Sequence, residues 1–307
     1  MSHIEFGWSR STTTFESCGT ECAAWLYRPE ESIDPPIVVM AHGFGLTRRM
    51  GLATYAERFA ERGIAVLVFD YRGFGHSNGE HRNIVDPSMH LADWKAAVEH
   101  VRDLSEVDGS RLGVWGTSFS AGHAFVTAAH SDVTAYVGQV PYYGDPPSLF
   151  ERLREQGIQY MIRVGMAGIR DQLRSQTARP PYYVPLVGQP GESAPINAPG
   201  AEAAYRTLVP NDIDETDWNR CAARIFMLAN RYKPREHTSE VDCPAFIFEA
   251  TRDQLVSSDA ITEVVKELDD VECLQADCDH FDVYDGRLFE EIVDHQSAFF
   301  EKHLLGQ

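Results

Sequence analysis

Arg111-Leu-Gly-Val-Trp-Gly-Thr-Ser-Phe-Ser-Ala-Gly-His-Ala-Phe125 (RLGVWGTSFSAGHAF) decides how the rest of the 307-residue chain is read. An apolar, β-prone run ends at Gly116, Ser118 follows two residues later, and small residues then lead into a helical pattern. The spacing predicts a strand, a very tight turn and a helix, with a serine at the apex. A serine in that position is held in a strained backbone conformation with its hydroxyl aimed outward. Gly116 and Ser120 are small enough for the two arms of the turn to approach each other. The amide of Phe119 falls in the first helical turn, where it has no intrahelical partner and can donate to an oxyanion.

The segment resembles the nucleophile elbow of the α/β-hydrolases, whose pattern is G-x-S-x-G. Here the last glycine of the pattern is Ser120, a small-for-small exchange followed at once by Ala121-Gly122. The resemblance makes Ser118 the nucleophile and sets the chain order of its partners: an acid next, then a histidine. Pro244–Ala250 (PAFIFEA) reads as a fully buried strand that discharges into Thr251-Arg252-Asp253-Gln254-Leu255-Val256, which makes Asp253 the candidate acid. Asp145, after the strand Ala135–Val140, is the alternative, because some members carry the acid one strand earlier. Asp259 reads as a helix-terminus charge and Asp242 as a strand-edge residue. The last strand is read at Val271–Ala276, and His280 is the one histidine between it and the closing helix, which holds His295. His280 is therefore the candidate base, and Asp253 would fix its tautomer.

Two further stretches follow strand patterns. Pro36–Ala41 runs into His42-Gly43-Phe44-Gly45, which resembles the family's oxyanion loop. Phe44 would supply the second backbone donor beside Phe119. Glycines flank it where the chain must bend and approach substrate, and His42 is expected to hold the loop by hydrogen bonds. Asp70-Tyr-Arg-Gly-Phe-Gly-His-Ser77 resembles another segment of the superfamily, with Asp70, Arg72 and Ser77 as structural braces. Together with HFDVYDG (His280–Gly286), these motifs are most similar to the polyketide-processing hydrolases and transferases of the superfamily. The implied fold class is α/β, the α/β-hydrolase fold: a mostly parallel sheet with helices on both faces and an inserted helical cap.

Along the chain, strands at Phe15–Ser17 and Cys22–Arg28 meet at Gly19 and predict an antiparallel edge. Strands and helices then alternate, with helices expected at about 48–62 and 88–107, as a parallel sheet requires. From Tyr142 to about Glu240 the alternation stops. Amphipathic segments at 149–173 and 217–230 flank a Pro-Gly-rich stretch, and no strand pattern is found there. The chain is accordingly divided into core (1–141), cap insertion (142–240) and core (241–307). Tyr142, Tyr143, Phe150, Tyr160, Met161, Met166, Tyr182, Tyr183, Tyr205 and Phe226 supply the cap's apolar surface, most of it for the cap's own packing and some for a pocket. Arg152, Arg154, Arg163, Arg170 and Arg174 read as a solvated face.

Composition sets limits. With 43% hydrophobic residues the chain can bury one large core, and a net charge of −19 argues against nucleic acid and anionic membranes as partners. Six cysteines lack zinc-like spacing, and no metal is expected; no cofactor is expected either, and a cytoplasmic location is the simplest. A homodimer stays open. The expected activity is hydrolysis of an ester or thioester of a mainly apolar, polyketide-like acyl group through an acyl-enzyme. Acyl transfer, or cleavage of an amide, a lactone or a C–C bond, uses the same residues. Ser118 at the elbow excludes the aspartate nucleophile of dehalogenases. A non-catalytic receptor of the same fold is the rival from another class.

Overall fold

The computed structural model describes residues 6–30, 32–145, 149–177 and 179–306. Eight strands form one sheet in the order β1-β2-β4-β3-β5-β6-β9-β10. They are β1 (Trp8–Ser17), β2 (Thr20–Pro29), β3 (Pro36–Ala41), β4 (Ala65–Phe69), β5 (Asp108–Thr117), β6 (Ala135–Gln139), β9 (Ala245–Ala250) and β10 (Val271–Ala276). Only the β1–β2 and β2–β4 pairs are antiparallel; the other pairs are parallel. Helices cover both faces, so β3, β4 and β9 are buried along their whole length and read as continuous apolar runs. Ile37, Val39 and Ala41 face one core with Phe69, Trp94 and Phe125. Val38 and Met40 face the other, with Tyr55, Trp115 and Phe300. This alternation along β3 is the two-residue period of a strand serving two cores at once.

The chain reverses its direction of travel across the sheet at β3, which has β4 on one side and β5 on the other. At such a switch point the loops leaving the two neighbouring strands diverge and open a crevice beyond their carboxyl ends. The loops there are Ala41-His42-Gly43-Phe44 and Thr117-Ser118-Phe119. Ser118 therefore lies where the topology itself makes room.

Several expected boundaries shift, each for a traceable reason. Helix α1 spans Ala53–Glu61 rather than 48–62. Arg48 is committed to Asp70 through its backbone N–H (2.7 Å) and its guanidinium (2.6 Å), and Gly51 takes φ +80°, so residues 48–52 form turns. Helix α2 spans Pro87–Arg102, started by Asp86, whose carboxylate accepts from the Ser88 and Met89 amides. It stops before 107, and Leu104 and Val107, which continue the apolar pattern, pack against the core from the non-helical segment that follows. Helices α3 (Phe119–His130), α8 (Ser258–Glu267) and α9 (Gly286–Phe300) complete the two layers.

Between β6 and β9 lies the insert. Its long helix α4 (Leu149–Ser175) is broken at Gly157, which has φ 79° and ψ 163°. The side chains of Phe150 and Arg152 lie outside the described ones. The expectation of no strand is corrected: β7 (Tyr183–Val184) and β8 (Cys221–Ala222) pair as a short antiparallel ribbon. The amphipathic stretch 217–230 is likewise not one helix. It divides into the end of a short helix α6 (Glu215–Trp218), strand β8, helix α7 (Ile225–Leu228) and a 3-10 turn, after helix α5 (Ala201–Leu208). Side-chain acceptors impose the breaks. Asn219 Oδ1 takes the amides of Leu186 and Val187, and Asp171 takes the amide and guanidinium of Arg224. Periodicity in 217–230 could not register these contacts with distant residues.

Candidate active site

At the turn between β5 and α3, Ser118 adopts φ 57° and ψ −123°, a region that costs a non-glycine residue about 1–3 kcal/mol. The turn is pinned from both sides. The Ser118 amide donates to the Gln139 carbonyl (2.8 Å), and its own carbonyl accepts from the amides of Ala121 and Tyr142 (both 3.0 Å). Gly116 is obligatory: a Cβ there would lie 2.4 Å from the Ser120 carbonyl oxygen and 2.6 Å from Ala121 Cα. Ser120 is fully buried, with its hydroxyl 3.0 Å from that of Tyr71, which also accepts from the Trp94 indole N–H (2.9 Å).

Three residues expected to meet across the fold do meet. Ser118 Oγ is 3.0 Å from His280 Nε2, and His280 Nδ1 is 2.5 Å from Asp253 Oδ2. The other carboxylate oxygen, Asp253 Oδ1, accepts from the amides of Leu255 (2.7 Å) and Val256 (3.1 Å). Those amides fix the carboxylate in the loop after β9, and His280 comes from the loop after β10. The side chains of Asp253 and His280 are only 1% and 6% exposed, so water does not compete for the contact between them. With Nδ1–H donated to Asp253, the lone pair on Nε2 faces the serine hydroxyl. That is the arrangement in which an imidazole can take a proton from an attacking serine. The alternative acid, Asp145, is engaged elsewhere, with the Ser257 hydroxyl (3.2 Å) and the Arg235 guanidinium (3.5 Å). Asp259 borders the cavity, and His295 is exposed on α9.

The loop after β3 packs directly on the elbow. A Cβ on Gly43 would lie 3.2 Å from the Thr117 carbonyl oxygen and 3.4 Å from Ser118 Cβ, a tight contact that the glycine relieves. Among the described residues the amides of Phe44 and Phe119 have no partner, and the two rings meet edge to face at 5.2 Å. His42 is fully buried, donates from Nδ1 to the Gly43 carbonyl (3.1 Å) and packs against Tyr71. Burial lowers its pKa to about 4, which keeps it neutral. Asp70 ties the neighbouring loops together by accepting from Arg48 and from the His76 amide, while the Ser77 hydroxyl donates to the Asp70 carbonyl. Arg72 is held by Asp93.

These elements border a cavity of about 1050 Å³ that contains Ser118 and His280 in its wall. From the insert it takes Tyr142, Tyr160, Ile196, Tyr205 and Phe226, and from the core Phe44, Leu255, Val256 and Phe281. The insert is anchored over this end of the sheet. Tyr205 donates its hydroxyl proton to the Phe44 carbonyl (2.8 Å), Tyr183 donates to the Arg82 carbonyl (2.8 Å), and Arg49 pairs with Asp212 (2.8 Å). Tyr143 does not reach the cavity; it is buried with its hydroxyl 2.9 Å from that of Tyr136. Met166 points to solvent, and the Tyr182 ring lies under the Arg170 guanidinium.

Residues whose importance local patterns did not show include Tyr284, which lines the cavity with its hydroxyl 2.8 Å from Thr117 Oγ1, and Gln254 and Ser257. Tyr284 stands within the HFDVYDG string, but nothing in that string reports its contact with Thr117. Among the described residues one side-chain group could share a metal ion: His130, His237 and Glu240, which are not part of the cavity. All six cysteines are unpaired. No helix among the described residues is long and apolar enough to cross a membrane.

Residues 35–161 match the family model described as serine aminopeptidase, S33. The quorum-quenching protein AidA of Acinetobacter baumannii is 35% identical over 94% of this chain and 93% of its own length. Polyketide transferase af380 of Aspergillus fumigatus is 28% identical over 96% of this chain and 99% of its own. The structure of DcsB in complex with its substrate analogue superposes with a TM-score of 0.81 at 22% identity, covering 96% of this chain and 100% of that one. That likeness carries the fold, and the sequence match to AidA carries the kinship. The chain belongs to the α/β-hydrolase superfamily, among its serine hydrolases.

Proposed function

We propose that the protein cleaves an ester or thioester of a mainly apolar acyl group, using Ser118 as nucleophile, His280 as general base and then acid, and Asp253 as the orienting carboxylate. The observation that carries this reading is the hydrogen-bonded series Ser118 Oγ–His280 Nε2 and His280 Nδ1–Asp253 Oδ2 at the wall of the cavity. Ser118 Oγ attacks the acyl carbonyl as its proton passes to His280 Nε2. The oxygen anion that forms is received by the amides of Phe44 and Phe119, which have no other partner among the described residues. Collapse returns the proton to the leaving alcohol or thiol, and a water activated by the same histidine releases the acid. The aromatic and aliphatic wall supports an apolar acyl group. The insert 142–240 is assigned as a cap, because its side chains and those of the core border one cavity.

Transfer of the acyl group to an alcohol in place of water is a second reading, favoured by the similarity to a polyketide transferase along nearly the whole chain. Fluorophosphonate labelling followed by intact-mass measurement tests the shared first step. One adduct is expected on the parent chain and none on Ser118→Ala. Labelling that persists in Ser118→Ala, or a parent chain that takes no label, removes Ser118 as an activated nucleophile. A panel of acyl esters and thioesters of increasing length, read for free acid and for ester formed with added alcohols, then separates hydrolysis from transfer.

A further inference from the structure

Helix α4 carries the one continuous row of large exposed apolar side chains among the described residues. Ile158, Ile162, Met166, Ile169 and Leu173 are 60%, 53%, 67%, 54% and 59% exposed. Steps of four, four, three and four place them on one face of the helix. The opposite face is occupied: Tyr160, Val164, Ala167 and Asp171 are buried, and Asp171 holds Arg224. The exposed row is therefore not an inward face left without a core. Outside it, the large exposed hydrophobics among the described residues are Ile33 and Leu153.

The row is symmetric about its own centre. Ile158 lies as far before the Gly165–Met166 peptide as Leu173 lies beyond it, and Ile162 and Ile169 are matched in the same way. An antiparallel copy of the same helix, turned about a two-fold axis through that peptide, would set Ile158 against Leu173 and Ile162 against Ile169. A C2 contact requires this kind of self-matching surface. Gly165 at the centre has open space where a Cβ would stand, so two helix backbones can approach closely there.

The area is adequate. At about 100 Å² of exposed surface per side chain the row offers about 500 Å² per copy, and with the flanking Gln159, Met161 and Gln172 a pair reaches the roughly 1,200 Å² at which specific interfaces begin. The arginines bordering the row are turned onto their own chain. Arg163 donates to the Gly191 carbonyl, Arg170 lies 4.1 Å over the Tyr182 ring, and Arg174 donates to the Pro180 carbonyl. They are thus drawn away from the facing helix, and a net charge of −19 disfavours an anionic lipid surface as the occupant.

We propose that the protein is a homodimer joined through the exposed face of α4, antiparallel and centred on Gly165–Met166. The full chain should run in light-scattering chromatography at twice its 34.4 kDa at micromolar concentration. The double variant Ile162→Asp, Ile169→Asp should run at the single-chain mass with an unchanged far-UV spectrum. The register has its own test, made with the exposed Cys18 and Cys273 replaced by Ser. Met166→Cys should cross-link on oxidation. Leu173→Cys alone should not, since its two copies would stand about 22 Å apart along the helix axes. A mixture of Ile158→Cys and Leu173→Cys chains should cross-link again. A parent chain that is monomeric at these concentrations would overturn the proposal, as would a double variant that stays dimeric or Leu173→Cys cross-linking as readily as Met166→Cys. A monomer that floats with phosphatidylserine vesicles would likewise overturn it and assign the row to lipid.

Discussion

Asp253→Asn replaces one carboxylate oxygen by an NH2 group and should remove nearly all activity, for a reason the hydrogen bonds specify. Asp253 Oδ1 accepts from two peptide amides, those of Leu255 and Val256, at 2.7 and 3.1 Å. Those amides belong to the backbone and cannot turn away, so in the variant this position must keep the amide oxygen. The NH2 group is then forced into the place of Oδ2, 2.5 Å from His280 Nδ1 in the parent. An amide NH2 only donates, so Nδ1 must present its lone pair and the imidazole proton moves to Nε2. That nitrogen stands 3.0 Å from Ser118 Oγ and would offer the serine a proton where a lone pair is needed. In Ser-His-Asp sites elsewhere the wrong tautomer costs roughly ten-thousand-fold in kcat, or about 5.5 kcal/mol. The same order is expected here, with KM for a short acyl ester changed little, because Asp253 is not part of the cavity wall. Steady-state hydrolysis of a chromogenic acetate ester and the fluorophosphonate labelling rate should fall together. Thermal unfolding should move little, since both peptide amides keep their acceptor. A variant that retains more than a tenth of parental kcat while folding normally would refute the role given to Asp253.

Stability should depend on pH through three buried histidines, His42, His90 and His123. Burial lowers His42 to about 4, His123 to about 3 and His90 well below the usual range, so the folded chain resists their protonation while the unfolded chain accepts it near pH 6.5. Their contribution is complete above about pH 6.5 and is lost as pH falls toward 4, at up to about 1.4 kcal/mol per pH unit for each histidine. Urea midpoints measured from pH 7.5 to 5 should decline accordingly, and a flat profile would show that these rings titrate without cost. In the cavity, Phe226→Ala removes an apolar wall contributed by the insert. The kcat/KM for long acyl esters should fall about tenfold while that for an acetate ester holds, matching the 1–3 kcal/mol span of small apolar pocket changes. An equal loss on both esters would mean that Phe226 supports the fold rather than the acyl group.

The parts of the molecule that could be read in advance are those where a local rule acts within a few residues. A strand that ends in a glycine and a small-residue helix start fixes the elbow, and β9 and β10 announce the loops of Asp253 and His280 in the same way. The insert was legible as an interruption and not as a structure. Its path is set by single bonds over long separations: Tyr205 reaches Phe44 across 161 residues, and Asp171 reaches Arg224 across 53. Nothing in the periodicity of 217–230 could report an acceptor at Asn219 waiting for the amides of Leu186 and Val187.

The departure at Ser120 shows what the elbow pattern demands physically. Its two small positions are not equivalent. At 116 the α3 backbone stands within 2.4 Å of where a Cβ would be, so that position admits no side chain without moving the helix. At 120 the side chain leaves the turn on the other side, toward Tyr71 and Trp94, where a hydroxyl finds a partner at 3.0 Å. A serine fits there because the space beneath it is already polar and its oxygen is paired, which a buried hydroxyl requires. A match scored on glycine alone penalises this position, whereas one scored on room for the backbone does not. The first glycine of the pattern is therefore a condition of the turn, and the second is one solution among several that fit the layer packed against it.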